Sequence, residues 1–208
     1  MAGNPIISLI AAIVICTVMG ILIEKIAYKP LRGASPLAVL ITAIGVSYFL
    51  QGLAQLIFGS ASQQVSHLHL GTLKIGSFEV NKGTIVTLVV GGILMVALTL
   101  FVKKTRTGRA MLAVSEDRGA AQLMGVNVNR IIMITFAIGS ALAAFASLFY
   151  LMSIPSVNPT LGAMPGIKAF TAAVIGGIGS IPGAMLGGIL LGMIESISYK
   201  ITAIAPYT

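Results

Sequence analysis

This sequence has very little charge. Only 9% of its 208 residues are Asp, Glu, Lys or Arg, where an ordinary soluble domain carries about a quarter. A water-facing surface around a chain of this size cannot be built from so few charges, which excludes a soluble globular fold. Acid is scarcest: Glu24, Glu79, Glu116, Asp117 and Glu195 are the only carboxylate side chains. Tryptophan is absent. Cysteine occurs once, as Cys16 inside an apolar run, which excludes an internal disulfide and reads as a small buried hydrophobe. There is no Gly-x-x-x-x-Gly-Lys-Ser/Thr phosphate loop, so the chain has no visible means of binding ATP. Low-complexity linkers and internal repeats are also missing. The net charge of +8 does not imply nucleic acid, because the basic residues sit in short loops between apolar runs and form no single basic face.

What is there is apolar. Hydrophobic residues make up 57% of the chain and mean hydropathy is +1.02, which places it among membrane proteins. A spanning helix needs about 20 mostly apolar residues. Such runs occupy 6–23, 37–58, 85–102 and 131–154. The first has no basic leader and ends at Glu24-Lys25, so it reads as a span and not as a cleaved signal. A further apolar region, 167–197, is interrupted by Gly176, Gly177, Gly179, Ser180, Pro182 and Gly183. It reads as two helices, 167–178 and 183–198, broken at the Gly-Ser-Ile-Pro-Gly segment. One long kinked span is the alternative. The expected fold is an all-α integral membrane protein, a polytopic transmembrane helix bundle forming one domain over 1–208. It carries a broken, glycine-rich helix pair and a small external β-ribbon.

The loops set the orientation. Loop 24–36 carries Lys25, Lys29 and Arg32, and segment 103–130 carries Lys103, Lys104, Arg106, Arg109, Arg118 and Arg130. Loop 59–83 has only Lys74 and Lys82. Basic short loops stay inside, so 24–36 and 103–130 are expected in the cytoplasm and 59–83 outside. In the outer loop Leu68, Leu70, Leu73, Ile75, Phe78 and Val80 fall largely at two-residue steps, which predicts the ribbon. His67 and His69 lie two apart there, but a metal site needs more ligands than the sequence places. Pro155, Asn158, Pro159, Gly162, Pro165 and Gly166 predict a second external connector. No catalytic, metal or cofactor site is expected in this chain.

Segment 103–130 carries the sharpest pattern. Gly108, Ala110, Ala113, Asp117, Ala121 and Gly125 recur mostly at steps of three and four, which puts small residues on one helical side. Ser115 and Asp117 suit helix N-caps and Gly125 a C-cap, predicting two short helices joined near 115–117. From spacing alone, this is either an amphipathic surface resting on anionic headgroups or a docking platform for a partner. On the second span Ser47, Gln51 and Gln55 share one face, with Thr42 on a nearby side. They serve either as hydrogen-bonded glue between helices or as the wall of a polar pathway. Gly179, Gly183 and Gly187 make small-x-x-x-small steps that suit close helix packing or a pliable pathway wall, with Thr171 and Ser180 as its polar points. With the acids near span ends or in loops, an ion-coupled mechanism lacks the intramembrane ionisable residue it needs, and an external energy source is favoured.

These residues resemble a known family. The run from Thr105 through Gly108, Ala110, Ala113, Asp117, Ala121 and Gly125 to Arg130 is similar to the cytoplasmic coupling segment of branched-chain amino acid ABC transporter permeases. Ala27-Tyr-Lys-Pro-Leu-Arg-Gly33 resembles the family's first inner loop, and Leu40-Ile-Thr-Ala-Ile-Gly45 the helix after it. The stretch from Ile167 to Ala184, through Gly176-Gly-Ile-Gly-Ser-Ile-Pro-Gly183, is the most specific match. The family has further helices before the first block and one after the last, so 1–208 is expected to be a part of its transmembrane domain. The resemblance implies a transport subunit and not an enzyme, in the inner membrane. It pairs with a second permease, two ATP-binding subunits that hold ATP and magnesium, and an external solute-binding protein. Coupling is then expected through 103–130. Leucine, isoleucine and valine are the implied substrates, with import of urea, short amides or other amino acids by a member of the same family as the alternative. An ATP-independent carrier or channel, or an inert membrane scaffold, stays open as a different class.

Overall fold

The computed structural model describes residues 5–64, 72–75, 78–154 and 156–200. The helices are α1 Pro5–Ile23, α2 Pro36–Phe58, α3 Lys82–Lys104, α4 Arg106–Glu116, α5 Arg118–Leu123, α6 Val128–Ser153, α7 Ala163–Ile175 and α8 Ile181–Lys200. Five described helical segments are long and apolar enough to cross a membrane: Ile7–Leu31, Leu37–Phe58, Lys82–Lys104, Val128–Ser153 and Ile181–Ser198. α7 has 13 residues, about 20 Å of helix, which is short of the roughly 30 Å hydrocarbon layer. The all-α membrane class read from composition therefore holds. The chain divides into two compact units, Met1–Leu88 with Val102–Pro159, and Val89–Phe101 with Thr160–Thr208.

In the first unit the main packing is α1 against α6. It depends on small residues: Ala144 is only 1% exposed, and a Cβ on Gly20 would collide with the Ser140 side chain. Tyr28 stacks on Phe136 at 5.0 Å between ring centroids. Past Ile23 the helix widens into a π-helical turn, Glu24–Tyr28, in which the Lys29 amide reaches back to the Glu24 carbonyl. A 3-10 turn at Lys29–Leu31, built around Pro30, ends it. Ser35 then caps α2 by accepting the Ala38 amide, with Pro36 in the first helical turn where its missing N–H costs nothing.

Two short ribbons complete this unit. Strands β2 (Thr72–Ile75) and β3 (Phe78–Asn81) pair antiparallel, with Leu73 opposite Val80, so part of the expected outer ribbon is present. Leu68, Leu70, His67 and His69 lie outside the described residues. Helix α3 starts at Lys82, three residues before the apolar run, because β3 leads straight into it. A second pairing was not expected. Strand β1 (Gln63–Gln64) runs antiparallel to β4 (Ser156–Val157), tying the segment after α2 to the segment after α6.

In the second unit α7 and α8 form an antiparallel hairpin. Gly176 meets Gly183, Ala172 meets Gly187 and Lys168 pairs with Glu195. One long kinked span is therefore excluded. α7 begins at Ala163 rather than at 167, so Pro165 and Gly166, expected in a connector, lie in its first turn. Pro165 stands just before the first intrahelical bond, which the Gly166 amide makes to the Gly162 carbonyl, so its missing N–H is tolerated.

Candidate functional site

Segment 103–130 folds as two short helices because the sequence supplies a cap at each end. The Thr105 hydroxyl accepts the Gly108 amide at 3.0 Å and starts α4. Asp117 then acts twice. Its amide donates to the Ala113 carbonyl, ending α4, and its carboxylate accepts the amides of Gly119 at 2.7 Å and Ala120 at 3.0 Å, starting α5. Its extended backbone, φ −147° and ψ 113°, turns the chain between the two axes. Gly125 takes φ +83°, and α5 closes with Gly125 donating to Gln122 and Val126 to Ala121. That pair of bonds is the Schellman ending that a left-handed glycine allows. Asn127 caps α6 by accepting the Arg130 amide at 3.1 Å.

Two expectations are corrected. Ser115 is not a cap: its hydroxyl donates to the Leu112 carbonyl within α4. Nor do the small residues form one row. The chain turns at Asp117, so helical phase does not carry from α4 into α5. Gly108 and Ala121 face inward and are buried, Ala110 is half-buried, and Ala113, Asp117, Gly125 and Arg130 are exposed. The inward side is a small core of Val114, Ala121 and Ile131, with Ala110, Met111, Val126 and Val128 packed on it. This core fixes the two helices to the root of α6.

The outward side holds what sequence reasoning missed. Leu123 is 90% exposed, Met124 84% and Leu112 41%, on a surface that also carries exposed Arg106, Arg109, Glu116 and Arg118. The signal was available: two large apolar residues stand directly before the terminating glycine of a helix only six residues long. Beside them a cavity of about 510 Å³ is lined by Arg32, Arg118, Gln122, Asn127 and Asn129. Arg32 reaches both Glu24 and Asn129, so the two basic segments meet at one end of the unit. At the other end an apolar cavity of about 310 Å³ lies between Ala54, Phe58 and Val157–Pro159.

The pathway candidates divide by how their polar groups are used. On α2 the Gln51 amide donates to the Ser47 hydroxyl at 3.2 Å, and Gln55 is exposed one turn further on. The Thr42 hydroxyl donates to the Ala38 carbonyl of its own helix. In the hairpin, Thr171 donates to the Ile167 carbonyl. Ser180 caps α8 by accepting the Gly183 amide at 3.2 Å, and Pro182 sits in the first turn of that helix. Both hydroxyls therefore serve the backbone.

The glycine row is also different from the expected one. A Cβ on Gly183 would overlap the Gly176 carbonyl, and one on Gly187 the Ala172 carbonyl. The close contact thus runs through Gly176, Gly183 and Gly187. Gly179 is in the turn at φ +99° with open space around it, and Gly177 there has φ +89°. The reason is that α8 starts only at Ile181. Glu195 lies in the last turn of the apolar segment Ile181–Ser198, near the span end as expected. Its Oε1 is 2.5 Å from Lys168 Nζ. A lone lysine in one apolar arm and a lone glutamate in the other was the overlooked pattern.

Comparison with known proteins fits this geometry. Residues 1–208 match the family described as branched-chain amino acid transport system / permease component. The chain is 44% identical over 194 residues to the high-affinity branched-chain amino acid transport system permease protein LivH of Salmonella typhimurium, covering 91% of this chain and 63% of that protein. It is 45% identical over 192 residues to the corresponding protein BraD of Pseudomonas aeruginosa, covering 89% and 62%. It is also 35% identical over 141 residues to the fructose import permease protein FrcC of Rhizobium meliloti, covering 64% and 38%. The chain therefore spans less than two thirds of the length of these curated relatives. No solved structure matches it. With the family matched over residues 1–208 and the caps, basic segments and glycine hairpin in place, this chain belongs to the branched-chain amino acid transport permease family.

Proposed function

We propose that the chain works as a transmembrane permease subunit of an ATP-driven importer, carrying leucine, isoleucine and valine across the inner membrane. The observation that carries this reading is the α4–α5 platform, capped at every end, anchored by its own core, and presenting Leu123 and Met124 to water. Covering an apolar pair of that kind stabilises an interface, and a rigid anchor transmits force where a loose loop does not. Two ATP-binding subunits dock there, on the cytoplasmic side with loop 24–36, and supply ATP and magnesium. A second permease completes the path, and an external binding protein delivers substrate on the side of 59–83. Closing of the ATP-binding subunits moves α4 and α5, and that motion tilts the helices joined to them, α3 and α6. The sparse polarity of Ser47, Gln51 and Gln55 suits passage over tight binding.

The test is affinity purification of the tagged chain from native membranes in mild detergent, with every co-purifying protein identified. Recovery of two ATP-binding subunits and a second permease is the expected result; a well-expressed chain that comes alone sinks the reading. Competition of labelled leucine uptake by isoleucine, valine, fructose and urea decides the substrate, since a fructose permease shares much of this chain's length. Uptake that survives ATP depletion would favour an ATP-independent carrier.

A further inference from the structure

Glu24 is the most enclosed charged residue described, 2% exposed, in the π-helical turn that ends α1. A carboxylate taken out of water is costly unless a cation meets it. Arg32 is that cation, but it does more than neutralise. Its Nη2 donates to Glu24 Oε1 and its Nη1 donates to Asn129 Oδ1. Asn129 is the second residue of α6 and stands four residues after Gly125. One side chain thus joins the end of α1 to the start of α6, at the root of the α4–α5 platform. The seam between α1 and α6 is already closed along its length by Gly20 on Ser140, by Ala144 and by Tyr28 on Phe136. The fork adds little to that packing. It adds a polar tie beside the point where the core of α4 and α5 meets the root of α6. A planar guanidinium holds Glu24 and Asn129 on two separate nitrogens in fixed directions, whereas an ammonium presents its donors from a single nitrogen with no fixed fork.

We infer that Arg32 is a positioning residue for coupling: its fork makes α1 and α6 move as one body when the platform is displaced. This rests on the importer reading above. Without the tie, the Tyr28–Phe136 contact alone passes displacement of α6 to the end of α1, and ATP is hydrolysed without full opening of the path.

The experiment uses the complete complex isolated from native membranes and reconstituted in liposomes with its binding protein. ATP hydrolysed and leucine imported are measured together. Asn129→Ala removes one acceptor at an exposed position and leaves the Glu24–Arg32 pair intact. Arg32→Lys keeps the charge and loses the fork. For both, the complex assembles and hydrolyses ATP, and leucine imported per ATP falls about tenfold, as expected for one charge-assisted hydrogen bond. Asn129→Asp, which keeps an acceptor oxygen, restores the ratio. An unchanged ratio in assembled Asn129→Ala complex overturns the inference. So does equal loss of assembly in Asn129→Ala and Asn129→Asp, which marks the contact as structural only. If the wild-type chain recruits no ATP-binding subunit, the importer reading fails first, visibly and before any variant is made, and this inference falls with it.

Discussion

Leucine 123 offers the most direct test of the docking platform. It is 90% exposed and its neighbour Met124 is 84% exposed. Fully burying a side chain of either kind stabilises by about 1.5–3 kcal/mol. A partner that covers both would gain about 3–5 kcal/mol from these two residues. Leu123→Ala keeps the Cβ and gives up about 2 kcal/mol, which weakens the partner's affinity roughly 30-fold. The permease itself should be indifferent, because a side chain in water contributes within about 0.5 kcal/mol to the fold. The assay titrates purified ATP-binding subunits onto the permease in nanodiscs and follows binding optically, with the thermal midpoint of the free permease as control. Affinity within about twofold of wild type would refute the reasoning. A lowered midpoint with unchanged affinity would show instead that Leu123 packs within the permease.

Three further outcomes follow from the same geometry. Asp117→Ala removes the cap of α5 and costs about 1 kcal/mol, so amide exchange at Gly119 and Ala120 should quicken about fivefold, while Asp117→Asn keeps most of the protection; equal loss in both variants would assign the effect to charge. Gly183→Val drives a side chain into the Gly176 backbone and should lower the thermal midpoint in detergent much more than Gly179→Ala, which meets open space and pays only the cost of a positive φ, about 1–2 kcal/mol; a reversed order would refute the packing row. Lys168→Met or Glu195→Gln alone strands a charge in an apolar hairpin, so the double substitution should be more stable than either single one, and additive losses in a double-mutant cycle would show that the pair is not coupled.

Much of the fold was legible because membrane helices announce themselves by length and apolarity. The spans read at 37–58 and 131–154 differ from α2 and α6 by only a few residues, since the basic loops and caps that bound them are sequence-local. Asp117 and Gly125 were legible for the same reason: a cap is a bond to an amide a few residues away. The direction of each small residue was not. Ala113 and Ala121 share a spacing class, but the turn at Asp117 breaks the helical phase between them, and only the three-dimensional path says which faces the core. The exchange of Gly179 for Gly176 in the hairpin contact has the same origin, since it depends on where α8 begins. Long-range pairs were invisible in principle. Arg32 with Asn129, Lys168 with Glu195, and β1 with β4 join residues far apart in sequence, and no local pattern names the partner.

The smallest of these pairings has a mechanical consequence. By joining Gln63–Gln64 to Ser156–Val157, the chain ties together the short connectors that follow α2 and α6, at one inter-strand spacing of about 4.8 Å. Two helices tied near one end swing most at the other. With 26 residues, α6 is about 39 Å long, and a tilt of about 10° about that pin sweeps its root through about 7 Å. The pair behaves as a pair of tongs, in which a two-residue ribbon is the rivet and the arginine-rich end is the handle.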